Sequence, residues 1–223
     1  MFRKGSLLRE IPIIIVSALV VSVLIKTFLV HFFFIPSGSM ENTLKVGDRI
    51  GVNKVATFFS DIKRGEVVVF KDPANWLGEA QVTKDNSIVG KIKSGLEWAG
   101  VLPDPAKQYL IKRTIGVGGD HVVCCDKNGL LQVNGTSINE PYIYPGNKPS
   151  DSKFDVKVPK GFIWVMGDHR GASADSRFHT QDENKGMVPT KDVVGRAAVV
   201  IWPFNHVKFL SVGRDLSKVP TLK

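Results

Sequence analysis

Cysteine is nearly absent: two residues in 223, and they are neighbours, Cys124-Cys125. An adjacent pair closes a disulfide only through a strained eight-membered ring, so it makes a poor staple. With no second pair there is no thiolate metal site either. The two are expected to act as small apolar residues on a strand, with a redox role as the lesser alternative. Internal repeats, low-complexity tracts and long basic runs are also missing. The net charge of +9 therefore does not point to nucleic acid. With residues 1–35 set aside, 26 basic and 20 acidic residues remain, interspersed and without an interleaved aromatic stripe. Attraction to anionic lipid headgroups explains the excess more simply. The commonest hydrolase signatures are missing too, with no G-x-S-x-G elbow and no H-E-x-x-H pattern. His31, His121 and His206 have no motif around them. His169 and His179 near Asp168 and Asp175 leave a triad conceivable, but each histidine reads as structural or solvated.

What is present describes a globular protein. Hydrophobic residues make up 43% and charged residues 23%, and the length suffices for one or two domains with a sizeable core. Residues 1–10 carry Arg3, Lys4 and Arg9, and residues 11–35 are apolar except for Lys26 and His31. The stretch without ionisable groups, Ile11 to Ile25, would span about 22 Å as a helix, short of a ~30 Å hydrocarbon core. Including residues 27–35 gives ample length, with Lys26 snorkelling or facing a partner. Pro12 fits a first helical turn. The reading is an uncleaved transmembrane anchor over 11–35, with residues 1–10 cytoplasmic and residues 36–223 outside the cell membrane. A cleavable signal is the alternative, with Ser37-Gly38-Ser39 as a weak small-x-small site.

Beyond the anchor most signals are β. Strand-like runs occur at 48–54, 66–70, 110–115, 121–125, 130–133, 162–166 and 196–202. Asp126-Lys127-Asn128-Gly129 and Asn134-Gly135 read as hairpin turns, the second strongly so. The expected fold is mainly β, with a hairpin-rich subdomain over 121–160 and loop-rich residues 142–155. One stretch departs from this: Ile88, Ile92, Leu96 and Ala99 recur at helical spacing within 86–101. It reads as one short amphipathic helix, packed on the sheet or lying at a membrane interface.

Three polar stretches interrupt this β pattern. Phe34-Ile35-Pro36-Ser37-Gly38-Ser39-Met40 ends the apolar segment, with Ile35 pushed to extended backbone by Pro36. Alone it reads as a Ser/Gly linker. Tyr109 to Ile115 sets Lys112 inside an apolar strand, sharing a face with Leu110 and Thr114 while Arg113 points away. Burial lowers a lysine pKa, and bringing it from ~10.4 to ~8 costs about 3 kcal/mol. A neutral amine can then take the proton of a serine hydroxyl. Gly167-Asp168-His169-Arg170-Gly171-Ala172-Ser173-Ala174-Asp175-Ser176-Arg177 follows a strand with small residues, hydroxyls and opposite charges. Asp175 and Arg177 could pair and brace it.

Taken together and in this order, the stretches resemble the bacterial type I signal peptidases, membrane-anchored serine–lysine endopeptidases. Pro36-Ser37-Gly38-Ser39-Met40 with Thr43-Leu44 is similar to the nucleophile motif, and Gly47 to Lys54 to the strand motif after it. Lys112-Arg113-Thr114-Ile115-Gly116 with Gly119-Asp120 is similar to the general-base motif, and Gly167 to Arg177 to the last. The resemblance implies Ser39 as nucleophile and Lys112 as general base, with Ser173 orienting Lys112. It implies an oxyanion hole from the Ser37 hydroxyl and the Ser39 N–H. Asp175, Arg177, Arg113 and Gly167 would support the site. Ile35, Met40, Leu44 and Ile111 would form apolar substrate pockets, although a regular strand turns Ile111 away from Lys112. No metal or cofactor is implied, and the expected protein is a monomer. Its partners would be exported preproteins, cut after a small-x-small sequence, and membrane lipid. The substrate would bind extended beside the site, with larger residues rejected sterically. Some positions depart from the pattern. Asn42 stands where the family usually has proline, and Val117-Gly118 replaces an apolar-Pro pair, both expected to loosen turns. His169 replaces a common asparagine, only one membrane span is present, and the adjacent cysteines do not match the disulfide of some relatives. The rival readings are a membrane-tethered β-domain that binds peptide or lipid without cutting, and a self-cleaving serine–lysine protease.

Overall fold

The computed structural model describes residues 10–18, 20, 30–78, 87, 90 and 108–220. It is mainly β. Strands β1 (Val30–Phe34), β2 (Arg49–Asn53), β3 (Val67–Lys71), β4 (Tyr109–Val117), β9 (Phe162–Met166), β10 (Val188–Pro189), β11 (Val193–Trp202) and β12 (Lys208–Phe209) form the main sheet. Its order is β1-β2-β11-β3-β4-β9-β10, with β12 on β11, and every pairing is antiparallel. A smaller sheet lies within the interval expected for the subdomain. It comprises β5 (His121–Cys124), β6 (Leu131–Val133), β7 (Thr136–Ile138) and β8 (Phe154–Lys157), ordered β7-β6-β5-β8. Two short helices, α1 (Val55–Phe59) and α2 (Arg214–Ser217), accompany the sheets, in addition to the helical residues 10–18.

Local chemistry accounts for the turns. Asn134 and Gly135 both take positive φ, at 51° and 76°, as a two-residue hairpin between right-twisted strands requires. Between β5 and β6 the Asp126 carboxylate accepts from the N–H groups of Asn128 and Leu130. β4 is central, flanked by β3 and β9, and residues 112–116 are all buried. That placement, rather than alternation alone, is what takes Lys112 out of water.

The structure corrects three expectations. The end of the proposed anchor is not helical: Val30–Phe34 pairs with β2, from Val30 opposite Asn53 to Phe34 opposite Arg49. The alternation decides it, because Phe33 packs on the core while Phe32 and Phe34 stay exposed, a period of two. Residues 10–18 are helical, residues 19 and 21–29 lie outside the described residues, and no described helix is long and apolar enough to cross a membrane. Cys124 and Cys125 are joined to each other instead of standing as two thiols. β5 ends at Cys124, which frees Cys125 from the ladder to turn back on its neighbour. Asn42 does not loosen its turn but ties it, as described below. The helix expected over 86–101 lies outside the described residues, apart from Ser87 and Gly90.

Candidate active site

Three backbone features bring the polar stretches together. β1 delivers the chain through Ile35, whose N–H donates to the Asp48 carbonyl at 2.9 Å, into a 3-10 turn over Gly38–Met40. Ser39 stands in that turn between the exposed Ser37 and the fully buried Met40. β4 places Lys112 opposite Val68 and Arg113 opposite Met166. β9 ends at Met166, so the loop beginning at Gly167 starts beside the lysine strand. The loop and the turn then clasp: the His169 N–H donates to the Ser39 carbonyl at 3.1 Å.

At the centre, Lys112 Nζ and Ser39 Oγ are 2.7 Å apart. Lys112 is 4% exposed and Ser39 7%. Burial lowers the lysine pKa from 10.5 to about 8, against Asp175 and Asp168, which push it back up. An amine that loses its proton so readily can accept one from the hydroxyl it touches.

Asp175 organises the loop. It accepts from the Gly167 N–H and the Ser173 hydroxyl, each at 2.8 Å, and pairs with Arg177 at 2.8 Å. Arg177 also donates to the Arg170 carbonyl at 2.9 Å. Ser173 is therefore bonded to Asp175 and not to Lys112. It abuts the site through Gly167, where an added Cβ would meet Ser173 on one side and the Ser39 carbonyl on the other. Arg113 is 2% exposed and grips Asp168 at both oxygens, at 2.8 and 2.7 Å. Its guanidinium lies 4.2 Å from the centre of the Tyr142 ring.

The four residues expected to line substrate pockets do not stand alike. Ile35, Met40 and Leu44 are 2%, 0% and 0% exposed and belong to one core cluster with Ile50, Val52 and Val67. Ile111 packs against that cluster and keeps partial exposure. Three of the four thus form the floor beneath the nucleophile turn. Ser37 reaches its position with a free hydroxyl, forming no side-chain cap bond on the turn it precedes.

Sequence reasoning weighed Asp168 only as a triad member and gave no role of their own to Thr43 or the Glu140–Arg170 pair. Thr43 donates its hydroxyl to Asp168 and accepts from Arg113 at 3.2 Å, which locks the nucleophile turn to the last loop. Glu140 holds Arg170 at 2.5 and 3.1 Å, both side chains 2% exposed. Part of the signal was available, because a buried arginine requires a carboxylate and one of these carboxylates, Asp168, stands inside a motif. The histidines find other partners. His169 pairs with Glu41 at 3.2 Å and stacks on Tyr144, while His179 stacks on Trp76. His121 meets Asp155 and His206 meets Asp48. With Asp168 and Asp175 both committed to arginines, no histidine triad forms at Ser39.

A serine hydroxyl held by a buried amine, without histidine, defines a chemistry of acyl transfer on a β scaffold. Comparison with known proteins gives that class its family. The model for the signal peptidases, peptidase S26, matches residues 8–202. A probable signal peptidase I of Mycobacterium leprae is 39% identical over 228 residues, covering 90% of this chain and 78% of that protein. Signal peptidase I of Mycobacterium tuberculosis is 39% identical over 220 residues, covering 90% and 74%. Signal peptidase I of Bacillus licheniformis is 28% identical over 92% of this chain and 94% of that protein. The chain belongs to the signal peptidase family, peptidase S26.

Proposed function

We propose that this chain removes N-terminal signal peptides from exported preproteins by a serine–lysine acyl-enzyme mechanism. The observation that carries the mechanism is the 2.7 Å contact between the buried Lys112 amine and the Ser39 hydroxyl. Ser39 Oγ attacks the scissile carbonyl and its proton passes to Lys112 Nζ. The carbonyl oxygen becomes an oxyanion, met by the Ser37 hydroxyl and the Ser39 N–H, an amide of the first helical turn and so without an intrahelical acceptor. Lys112 then protonates the leaving amine, the carbon–nitrogen bond breaks, and the signal peptide remains as an ester on Ser39. Water, deprotonated by the same amine, releases it. Ser173 and Arg177 hold Asp175, and Gly167 lets the loop close on Ser39. Ile35, Met40 and Leu44, buried beneath the nucleophile turn, act as the apolar floor of the site, and the partly exposed Ile111 meets the substrate's small side chains.

The working place of the site is the outer face of a membrane, with residues 11–29 as the anchor and the preceding residues cytoplasmic. The described helix over 10–18 supports this, presenting Ile11, Ile13, Ile14, Ile15 and Val16 outward. So does the face of the sheet beside β1. Phe34, Arg49 and Trp202 are in register across three strands, and so are Phe32, Gly51, Val199 and Phe209. Phe32, Phe34, Trp202 and Phe209 are exposed, and Phe204 meets Trp202 edge-on at 4.6 Å. Aromatics of this kind, flanked by a cation, suit a lipid–water boundary.

The test is the pH dependence of preprotein cleavage in detergent, with the mature N-terminus sequenced. Activity rises with pH as Lys112 loses its proton, with its midpoint at about 8. A rate controlled by a group near 6.5 would instead implicate a histidine and overturn the mechanism. Arg113→Met probes the same electrostatics. It leaves the Asp168 carboxylate buried and unpaired, costing about 3–5 kcal/mol, and uncancels its field at Lys112. The midpoint of the pH profile therefore moves to higher pH while Tm falls. Loss of stability with an unmoved midpoint would show that Arg113 only braces the fold.

A further inference from the structure

Asn42 is exposed, stands three residues after the nucleophile and belongs to no catalytic pair. Its backbone takes a φ of 81°, in the left-handed region that asparagine tolerates better than most residues. Proline, the usual residue of the family at this place, fixes φ near −65° and cannot adopt it. The side chain uses this unusual backbone: both amide donors are spent across the fold, on the carbonyls of Tyr142 and Ile143, each at 3.1 Å.

Those two carbonyls belong to a segment that is itself bonded to the site. The Tyr144 N–H donates to the Asp168 carbonyl at 2.9 Å, and the Tyr144 ring stacks on His169 at 4.1 Å. The Tyr142 ring carries the Arg113 guanidinium. Asp168 accepts from Thr43, and the His169 N–H holds the Ser39 carbonyl. The contacts therefore close a ring. It runs from the nucleophile turn through the Asn42 amide to residues 142–144, on to Asp168 and His169, and back to Thr43 and Ser39.

We propose that Asn42 is a positioning residue for the reaction, fixing the Ser39 hydroxyl against the Lys112 amine by tethering the far end of the nucleophile turn. This rests on the serine–lysine reading. The neighbouring anchors, Met40 and Leu44, are fully buried and hold the turn in the core whatever residue 42 is. Loss of the exposed amide opens no cavity and unburies nothing. Its effect falls on the aim of the hydroxyl, where displacements well under 1 Å cost rate steeply.

The experiment compares Asn42→Gly, which keeps the backbone conformation and removes both donors, with Asn42→Asp, which keeps the shape and points a carboxylate at two carbonyl oxygens. Full-length protein in detergent is assayed on a preprotein for kcat, KM and Tm, with Ser39→Ala alongside. We expect kcat to fall roughly 10-fold in Asn42→Gly and further in Asn42→Asp, with KM within about 2-fold and Tm within about 2 °C for the glycine variant. Wild-type kcat in Asn42→Gly overturns the proposal. So does a loss of kcat that only tracks a falling Tm, which would make Asn42 a brace of the fold. If Ser39→Ala still cleaves, the serine–lysine reading itself fails, whatever the Asn42 variants do.

Discussion

Lys112→Met abolishes cleavage and stabilises the protein. The two effects have one origin. Lys112 is 4% exposed and its pKa in the fold is about 8, against an ordinary 10.5. Below pH 8 the unfolded chain carries the proton at no cost, while the folded chain must hold it in an apolar strand or give it up. The penalty is therefore complete below about pH 8, shrinks as pH rises, and vanishes above 10.5. The interval between those values corresponds to about 3 kcal/mol. Methionine fills similar space without a charge, so thermal unfolding at pH 7 shows a higher Tm in the variant, and the gain fades in alkaline buffer. Cleavage falls by roughly four orders of magnitude, the reach of a well-placed general base. Ser39→Ala causes a comparable loss, and the double variant is no worse than either single one, because the two groups act as a unit. Residual cleavage within ten-fold of wild type removes the mechanism. A destabilised Lys112→Met at pH 7 removes the electrostatic account.

The second large effect belongs to a residue that takes no part in proton transfer. Gly167→Ala is expected to bring cleavage below about 1% of wild type. The added methyl carbon would lie 2.5 Å from the Ser39 carbonyl oxygen and closer still to the Ser173 hydroxyl. One obstacle is backbone of the nucleophile turn and the other a short side chain anchored to Asp175 at 2.8 Å, so neither can swing aside as a long side chain would. Relief requires the Gly167 loop to withdraw, which stretches the Asp175 bond to the Gly167 N–H and the His169 bond to Ser39. Overpacking of this sort costs about 1–3 kcal/mol, small enough for the folded variant to be purified and assayed. Wild-type kinetics in Gly167→Ala would mean that the loop has more freedom than its contacts indicate.

Much of this was legible in the letters. The β character, the two hairpin turns and the meeting of Ser39 with Lys112 follow from patterns short enough to be read locally or motifs specific enough to be matched. Other contacts are not legible in this way. The Ser173 hydroxyl donates to Asp175, two residues on, where Asp175 caps the 3-10 turn over Ser176–Phe178. Periodicity says nothing about such a loop. A turn residue in place of proline suggests a loosened turn, yet the Asn42 amide reaches residues 100 and 101 positions away. Thr43 and Asp168 meet across 125 residues. For Asn42 and Thr43 the partner is fixed by tertiary closure, and side chains that bond across a fold leave no spacing to count. The strand at Val30–Phe34 failed for another reason. Val30–Phe34 continues an apolar run that suits a helix as well as a strand, and the alternation of Phe33 against Phe32 and Phe34 becomes decisive only with β2 there to pair with.

That strand has a mechanical consequence. β1 is zipped to β2 along five consecutive residue pairs and then runs, with only Ile35 and Pro36 between, into Ser37. There is no slack between the segment ahead of Val30 and the hydroxyls of the nucleophile turn. Displacement of β1 along β2 is therefore passed directly to the Ser37 and Ser39 hydroxyls.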